Sequence, residues 1–137
     1  MNPYLVSILV PIFGVEKYIE RCAKSLFEQT YKNIEYIFVD DCSKDKSINL
    51  LEKVIKEYPE KKDYIKIIHH HTNRGLAAAR NTAIENSRGE FIMHVDSDDW
   101  IEKDAVEHLV NQQIKTCSDM VIGAAIIHRH SGNSVYY

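Results

Sequence analysis

Only three cysteines occur in the 137 residues, and Cys22, Cys42 and Cys117 are odd in number and widely spaced. No disulfide framework and no metal-binding or redox spacing can be built from them, so reduced thiols in a cytoplasmic protein are expected. No apolar run approaches the roughly 20 residues a membrane span needs. The segment from Met1 to Tyr4 lacks the basic start and apolar stretch of a signal peptide. Any membrane association of a full-length protein is therefore expected outside this chain. The five glycines form neither a P-loop nor a dinucleotide-binding loop, which argues against a kinase, a GTPase or a dehydrogenase. Basic residues do not dominate either: 17 Lys and Arg face 20 Asp and Glu, for a net charge of -3. A general nucleic-acid binder is usually basic, so no nucleic-acid partner is expected. Low-complexity segments and sequence repeats are also missing.

What is present is a hydrophobic content of 45%, enough for one domain with a proper core. Apolar runs alternate with amphipathic ones. Leu5 to Pro11 reads as a buried strand stopped by its proline. From Val15 the period changes: Val15, Ile19, Cys22, Ala23, Leu26 and Phe27 recur three or four apart, as on one helix face. Ile34 to Val39 is a second strand, rich in β-branched and aromatic residues. Ser43 or Asp45 caps the next helix, which buries Ile48, Leu51, Val54, Ile55 and Tyr58. Ile65 to His69, Phe91 to Val95 and Met120 to Ile127 are the third, fourth and fifth strands. Leu76 to Ser87 and a stretch containing Ala105, Val106, Leu109, Val110 and Ile114 are the intervening helices. Strands apolar on both faces, alternating with helices, predict a three-layer α/β/α fold around a mostly parallel, Rossmann-like sheet.

In such a sheet ligands bind outside the carboxyl ends of the strands. The unusual polar residues cluster there: Pro11-Ile12-Phe13-Gly14, Asp40-Asp41-Cys42-Ser43, Asn73-Arg74-Gly75 and Asp96-Ser97-Asp98-Asp99 follow four successive strands. Three carboxylates within four residues repel one another unless solvated or neutralised. A hard divalent cation neutralises them, and one or two carboxylates plus substrate phosphates is the usual Mg²⁺ site, with Mn²⁺ accepting similar ligands. The alternative is that these acids favour the N-terminus of the helix near Lys103 or sit in a solvated loop. Asp40 suits a nucleobase imide or a ribose hydroxyl; Asp41 suits either a ligand or a helix cap. The backbone N–H groups of Asn73-Arg74-Gly75, with Arg74, suit an anion at the start of a helix. Arg80 either pairs with a nearby carboxylate or meets the ligand. Phe13 either stacks on a base or joins the core. His69, His70 and His71 point to alternate faces of a strand and do not share one ion.

Ser7-Ile8-Leu9-Val10-Pro11-Ile12-Phe13, Tyr36-Ile37-Phe38-Val39-Asp40-Asp41, Asn73-Arg74-Gly75 with Ala79-Arg80-Asn81, and Asp96-Ser97-Asp98-Asp99 resemble in order the motifs of the family 2 glycosyltransferases with the GT-A fold, and the resemblance runs from about Tyr4 to Ile127. The resemblance implies a nucleotide-diphosphate-sugar donor, a Mg²⁺ or Mn²⁺ cofactor, and inversion at the anomeric carbon by an acceptor hydroxyl. It places the chain in polysaccharide biosynthesis, with a saccharide or lipid-linked acceptor. By it, Pro11, Phe13 and Glu16 line the nucleoside pocket, and Asp40 holds the base. Asn73 and Arg74 are its neighbours across the pocket. Asp96 lies near the ribose, and Asp98, with Asp96, is the metal ligand. Uracil is the expected base, guanine and thymine the alternatives. Gly14 stands where the family often has Asn, and Cys42 where it often has Gly, which questions the turn there.

The family's general base lies well downstream of the acidic motif. Glu102, Asp104, Glu107 and Asp119 do not occupy that position, so the base and acceptor site are expected beyond Tyr137. Residues 1–137 then form a single donor-binding domain, truncated, inactive alone, and prone to self-association through its open edge. A sugar nucleotidyltransferase and a non-catalytic nucleotide-sugar-binding module are the competing readings. The first usually carries a glycine-rich loop with a basic residue after its first strand, which Phe13-Gly14-Val15-Glu16 does not resemble.

Overall fold

The computed structural model describes residues 3–128 and 134–136. Its elements alternate: Val6–Ile12 (β1), Ile19–Phe27 (α1), Ile34–Asp40 (β2), Ser47–Glu57 (α2), a 3-10 turn at Pro59–Tyr64, Ile65–His69 (β3), Leu76–Glu85 (α3), Phe91–His94 (β4) and Ala105–Thr116 (α4). Two short strands, Ile126–His128 (β5) and Ser134–Tyr136 (β6), end the series. The first four strands form one parallel sheet in the order β3-β2-β1-β4. The chain builds outward from β1 through β2 to β3, then returns across the sheet to place β4 on the other side of β1. The order therefore reverses between β1 and β4, the position where open α/β sheets form a ligand crevice.

Every residue of β1 and β2 is buried, as expected of strands covered on both faces. The period of two divides them cleanly. Val6, Ile8, Val10 and Ile12 join Cys22, Ala23, Leu26 and Phe27 of α1, Leu51 and Val54 of α2, and Val106 and Val110 of α4 in the larger core. Leu9, with Ile37 and Val39 of β2, packs against Ala79 and Ala83 of α3 on the opposite face. Small alanines let α3 lie close to the sheet. The three-layer α/β/α arrangement expected from the sequence is the one found.

Three expected boundaries shift, each for a physical reason. Pro11 does not stop β1, which continues through Ile12 opposite Asp40. Val95 N–H donates to the Leu9 carbonyl and Asp41 N–H to the Ile12 carbonyl, so odd residues of β1 bond toward β4 and even ones toward β2. Pro11 thus directs its missing donor toward β4, whose paired register ends at Leu9 opposite His94. No ladder hydrogen bond is lost there. The first helix begins at Ile19, not Val15, because Gly14 has φ of 64° and the Gly14, Val15 and Glu16 amides donate to Ser43, Ser47 and Asp45 side chains. The expected fifth strand, Met120 to Ile127, does not join the parallel sheet. Residues 120–125 carry no ladder, with Met120 and Ile122 largely exposed. Ile126 to His128 pair antiparallel with Ser134 to Tyr136 instead. A nearby hairpin partner closes a shorter loop than a crossover back to the sheet.

At the amino end of the strands a buried carboxylate fixes the α3–β4 connection. Glu35 accepts hydrogen bonds from Ser7 Oγ at 2.6 Å, Arg88 N at 2.6 Å and Arg88 Nε at 3.1 Å. Ser7 Oγ in turn accepts from Gly89 N at 2.8 Å. A Cβ on Gly89 would lie 2.5 Å from Ser7 Oγ and 2.7 Å from both the Leu5 carbonyl and the Ser7 amide. Two of those neighbours are backbone atoms, one in the central strand and one just before it, and neither can yield. Gly89→Ala should therefore cost about 2–3 kcal/mol, measured as a lowered urea midpoint; an unchanged midpoint would show that the connection is free to shift.

Candidate functional site

The loops after β1, β2, β3 and β4 meet on one rim, and side chains strap them together. After β1, Phe13 is 55% exposed, so it stands out from the rim and does not join the core. Gly14 takes φ of 64°, a conformation that Gly and Asn both tolerate. Its replacement of the family's Asn therefore leaves the backbone intact. Glu16 is exposed and reciprocally capped: its Oε2 accepts from Lys46 N at 3.1 Å, while Glu16 N donates to Asp45 Oδ2 at 3.1 Å. Asp45 Oδ1 also accepts from Ser47 N at 3.0 Å, so of the two expected caps Asp45 serves the start of α2.

The two acids ending β2 have different duties. Asp40 Oδ1 accepts from Ser43 N at 2.9 Å, and Oδ2 lies 3.0 Å from His69 Nδ1. Between them Cys42 has φ of 65°, the left-handed region glycine favours. The turn keeps the geometry expected of a glycine, with Cys42 bearing the strain. Asp41 is buried and caps the loop before α3, not α2. Its Oδ1 accepts from Arg74 N at 2.8 Å and pairs with His70 Nδ1 at 2.7 Å, and its Oδ2 accepts from Gly75 N at 2.8 Å. The anion expected at the amides of Arg74 and Gly75 is thus the protein's own carboxylate. Asn73 and the Arg74 side chain remain exposed at the rim. His69 and His70 each meet a different aspartate, as their alternation on β3 requires.

After β4 the acids sit in a turn closed by Asp99 N donating to the Asp96 carbonyl at 3.0 Å. They lie ahead of α4 rather than in its first turn. Asp96 and Asp98 are exposed and Ser97 is buried. Arg80, on α3, donates from a terminal nitrogen to Asp96 Oδ1 at 2.8 Å, which settles Arg80 as the partner of a carboxylate in this structure. Burial, then the charges of Asp98 and Asp96, hold Asp99 above the usual carboxylate range. Beneath the turn Cys22 donates to the Asp96 carbonyl at 3.8 Å. Burial, followed by Asp99, Asp98 and Asp96, pushes its thiol up to about 12, so it is protonated at neutral pH. Burial and the Arg80 guanidinium hold His94 below the ordinary histidine range, against an opposing pull from Asp96. Among the described residues no three His, Cys, Asp or Glu side chains converge to hold a metal ion.

Sequence reasoning did not identify the residues that hold this turn. Arg21, Cys22 and Ser25 of α1, with Gln29 just beyond its end, grip the segment from Asp96 to Val106. The Arg21 guanidinium lies 3.2 Å over the Trp100 ring. Ser25 Oγ accepts from Ile101 N at 3.2 Å. Gln29, fully buried, donates to the Glu102 carbonyl at 2.7 Å and accepts from Val106 N at 3.0 Å. A polar Gln29 continuing the helical stripe of Cys22 and Leu26 was the available signal.

Asp41 yields a test. Burial raises its carboxyl, but hydrogen bonds from Arg74, His70 and Gly75 outweigh that, and the net shift is below the ordinary range. A depressed carboxylate adds stability that is complete above the unfolded value of about 3.9 and is lost as pH falls through the folded value. Asp41→Asn should cost about 1.5–3 kcal/mol at pH 7, and the gap from wild type should close below about pH 4. Equal urea midpoints at pH 7 would remove Asp41 from this role.

Residues 7–136 match the profile described as glycosyl transferase family 2. A putative glycosyltransferase of Bacillus subtilis, EpsH, is 46% identical over 119 residues, which is 87% of this chain and 32% of that protein. The glycosyltransferase GlyA of Streptococcus pneumoniae is 38% identical over 132 residues, 96% of this chain and 18% of that protein. This chain thus spans a third or less of the length of either relative. Among solved structures, residues 1–349 of S. aureus TarS in complex with UDP superpose with a TM-score of 0.73 at 32% identity, covering 84% of this chain and 33% of that one. A mannosyltransferase of Pyrobaculum calidifontis, solved with GDP-Man and Mn²⁺, gives a TM-score of 0.75 at 25% identity over 94% of this chain and 37% of that one. With the parallel GT-A sheet and a family match from the start of β1 to the end of β6, the chain belongs to glycosyl transferase family 2.

Proposed function

We propose that this chain is the donor-binding domain of an inverting glycosyltransferase that moves a sugar from a nucleoside diphosphate, with UDP as carrier, to a hydroxyl of a saccharide or lipid-linked acceptor. The observation that carries this reading is the meeting of Phe13, Asp40, Asn73, Arg74, Asp96 and Asp98 on one rim at the reversal of strand order. The likeness to TarS, described in complex with UDP and with UDP-GlcNAc, supports uracil as the base. In this reading Phe13 and Pro11 bound the nucleoside, with Glu16 at the same loop. Each Asp40 oxygen has one partner and a carboxylate has about four acceptor positions, which leaves capacity for the base. Asn73 and Arg74 face it across the pocket, and Asp96 lies by the ribose.

The acidic turn fits a divalent cation. Asp96, Asp98 and Asp99 place three carboxylates in one turn, a repulsion that Mg²⁺ or Mn²⁺ would relieve; burial first, then Asp98 and Asp96, holds Asp99 above the usual carboxylate range. The protein alone offers fewer than three converging ligands among the described residues, which suits ions that complete their shell with phosphate oxygens and water. Asp98, with Asp96, would hold the ion, whose chemistry is charge stabilisation on the departing diphosphate. The general base and the acceptor-binding residues belong to the part of the enzyme beyond this chain. That part also covers the outer edge of β4, beside the groove lined by Phe91, Met93, Leu109 and Val110. An exposed edge and groove of this kind favour self-association when left open.

Two substitutions test the reading. Asp98→Asn keeps the shape and removes the charge; Mn²⁺-dependent UDP binding should vanish with the fold intact, and unchanged Mn²⁺ dependence in calorimetry would reassign the ion. Asp40→Asn keeps an oxygen for Ser43 N but offers a donor to the base. UDP binding should weaken roughly tenfold or more, as expected for losing a hydrogen bond to a charged group worth about 1.5–3 kcal/mol. Equal UDP affinity would leave Asp40 as a turn cap only. Acceptor-dependent release of UDP by a longer natural chain separates transfer from simple donor binding.

A further inference from the structure

We propose that Arg80 is a resident counter-ion for Asp96, holding that carboxylate until a divalent cation and the donor diphosphate take over its two halves. The inference rests on the donor and metal site proposed above and goes beyond it by assigning Arg80 an exchange. The cation takes Asp96, and the freed guanidinium turns to the negative diphosphate.

The geometry favours exchange over a permanent lock. The backbone on both sides of the pair is fixed. Ala79 and Ala83 anchor α3 on the sheet, while the Asp96 carbonyl accepts from Asp99 N and Cys22 Sγ. The side chains are not fixed: Arg80 is 37% exposed and Asp96 49% exposed. An ion pair this accessible to water is weak and reversible. Among the described residues, Arg80 Nε is the buried side-chain nitrogen without a hydrogen-bond partner, so the guanidinium is incompletely satisfied in its present pose. Among the described residues, Asp96 is also the one acid of the turn with a cationic partner within ion-pair distance, and Asp98 and Asp99 have none. A cation arriving alone meets a turn already partly neutralised. A cation arriving with a diphosphate brings an anion to receive Arg80. Metal and nucleotide binding are then coupled, each tightening the other by the same factor.

The experiment measures Mn²⁺ binding to the intact protein by electron paramagnetic resonance, with and without UDP, at about 0.15 M salt, where charges beyond about 8 Å are screened. Arg80→Gln keeps most of the length and removes the charge. It should bind Mn²⁺ alone on the order of tenfold more tightly than wild type, and the gain in Mn²⁺ affinity on adding UDP should shrink. Arg80→Lys, which keeps the charge, should behave more like wild type. No tightening in Arg80→Gln, whether both proteins bind Mn²⁺ alone equally or neither does, overturns the exchange. Asp98→Asn is the companion arm. If it leaves Mn²⁺ binding intact, the metal assignment itself fails; if it abolishes binding while Arg80→Gln shows no gain, the assignment stands and the exchange alone fails.

Discussion

The rim of this domain depends on one buried carboxylate. Asp41 leaves β2 and binds, with its two oxygens, two backbone amides and one imidazole from the segment between β3 and α3. Three donors on one desolvated carboxylate form a strong local set. They fix where the Asn73-Arg74-Gly75 loop lies and hence where α3 begins. The start of α3 determines which of its side chains reach β4, and so brings Arg80 to Asp96. His70 closes the set from the other side, with its second ring nitrogen 2.9 Å from Thr82 Oγ1. A loop of the rim is thereby built on a buried charge.

The electrostatics of the rim are uneven by design of the chain path. Acids gather after β4, where burial first and the neighbouring aspartates second push up both the thiol of Cys22 and the carboxyl of Asp99. Among the described residues Arg80 is the cation paired within this turn, and Arg21 approaches Trp100 just beyond it. The turn is held by its backbone, by Cys22 and Ser25 of α1 and by Gln29 just beyond that helix, rather than by neutralising every charge. A surface arranged this way keeps carboxylates crowded and available.

Much of the fold was legible because its signals are local. Four apolar runs with β-branched residues became the four parallel strands, and the stripe of Ile19, Cys22, Ala23, Leu26 and Phe27 became the buried face of α1. The segment from Met120 to Ile127 departs from the expected fifth parallel strand because an apolar run states a wish for burial and not a partner; β6 supplies the nearer one. Pro11 was misread as a stop because its cost depends on which neighbour its nitrogen faces. Of the rim residues, their place at strand ends was legible from order alone. The division of labour between Asp40 and Asp41 was not, since both follow the same strand and only the third strand's loop distinguishes them.

The sequence by itself determined the alternation of strands and helices, the two-sided burial of β1 and β2, and the delivery of polar residues to carboxyl ends. Each follows from periodicity and from the rule that parallel strands need crossovers. Tertiary structure alone decided that β4 returns beside β1, that Asp41 serves α3, that Arg80 meets Asp96 and that α1 grips the acidic turn. Those pairings join residues 16 to 85 positions apart. No local pattern records them, because their energy exists only when the packed sheet brings the partners within hydrogen-bonding distance.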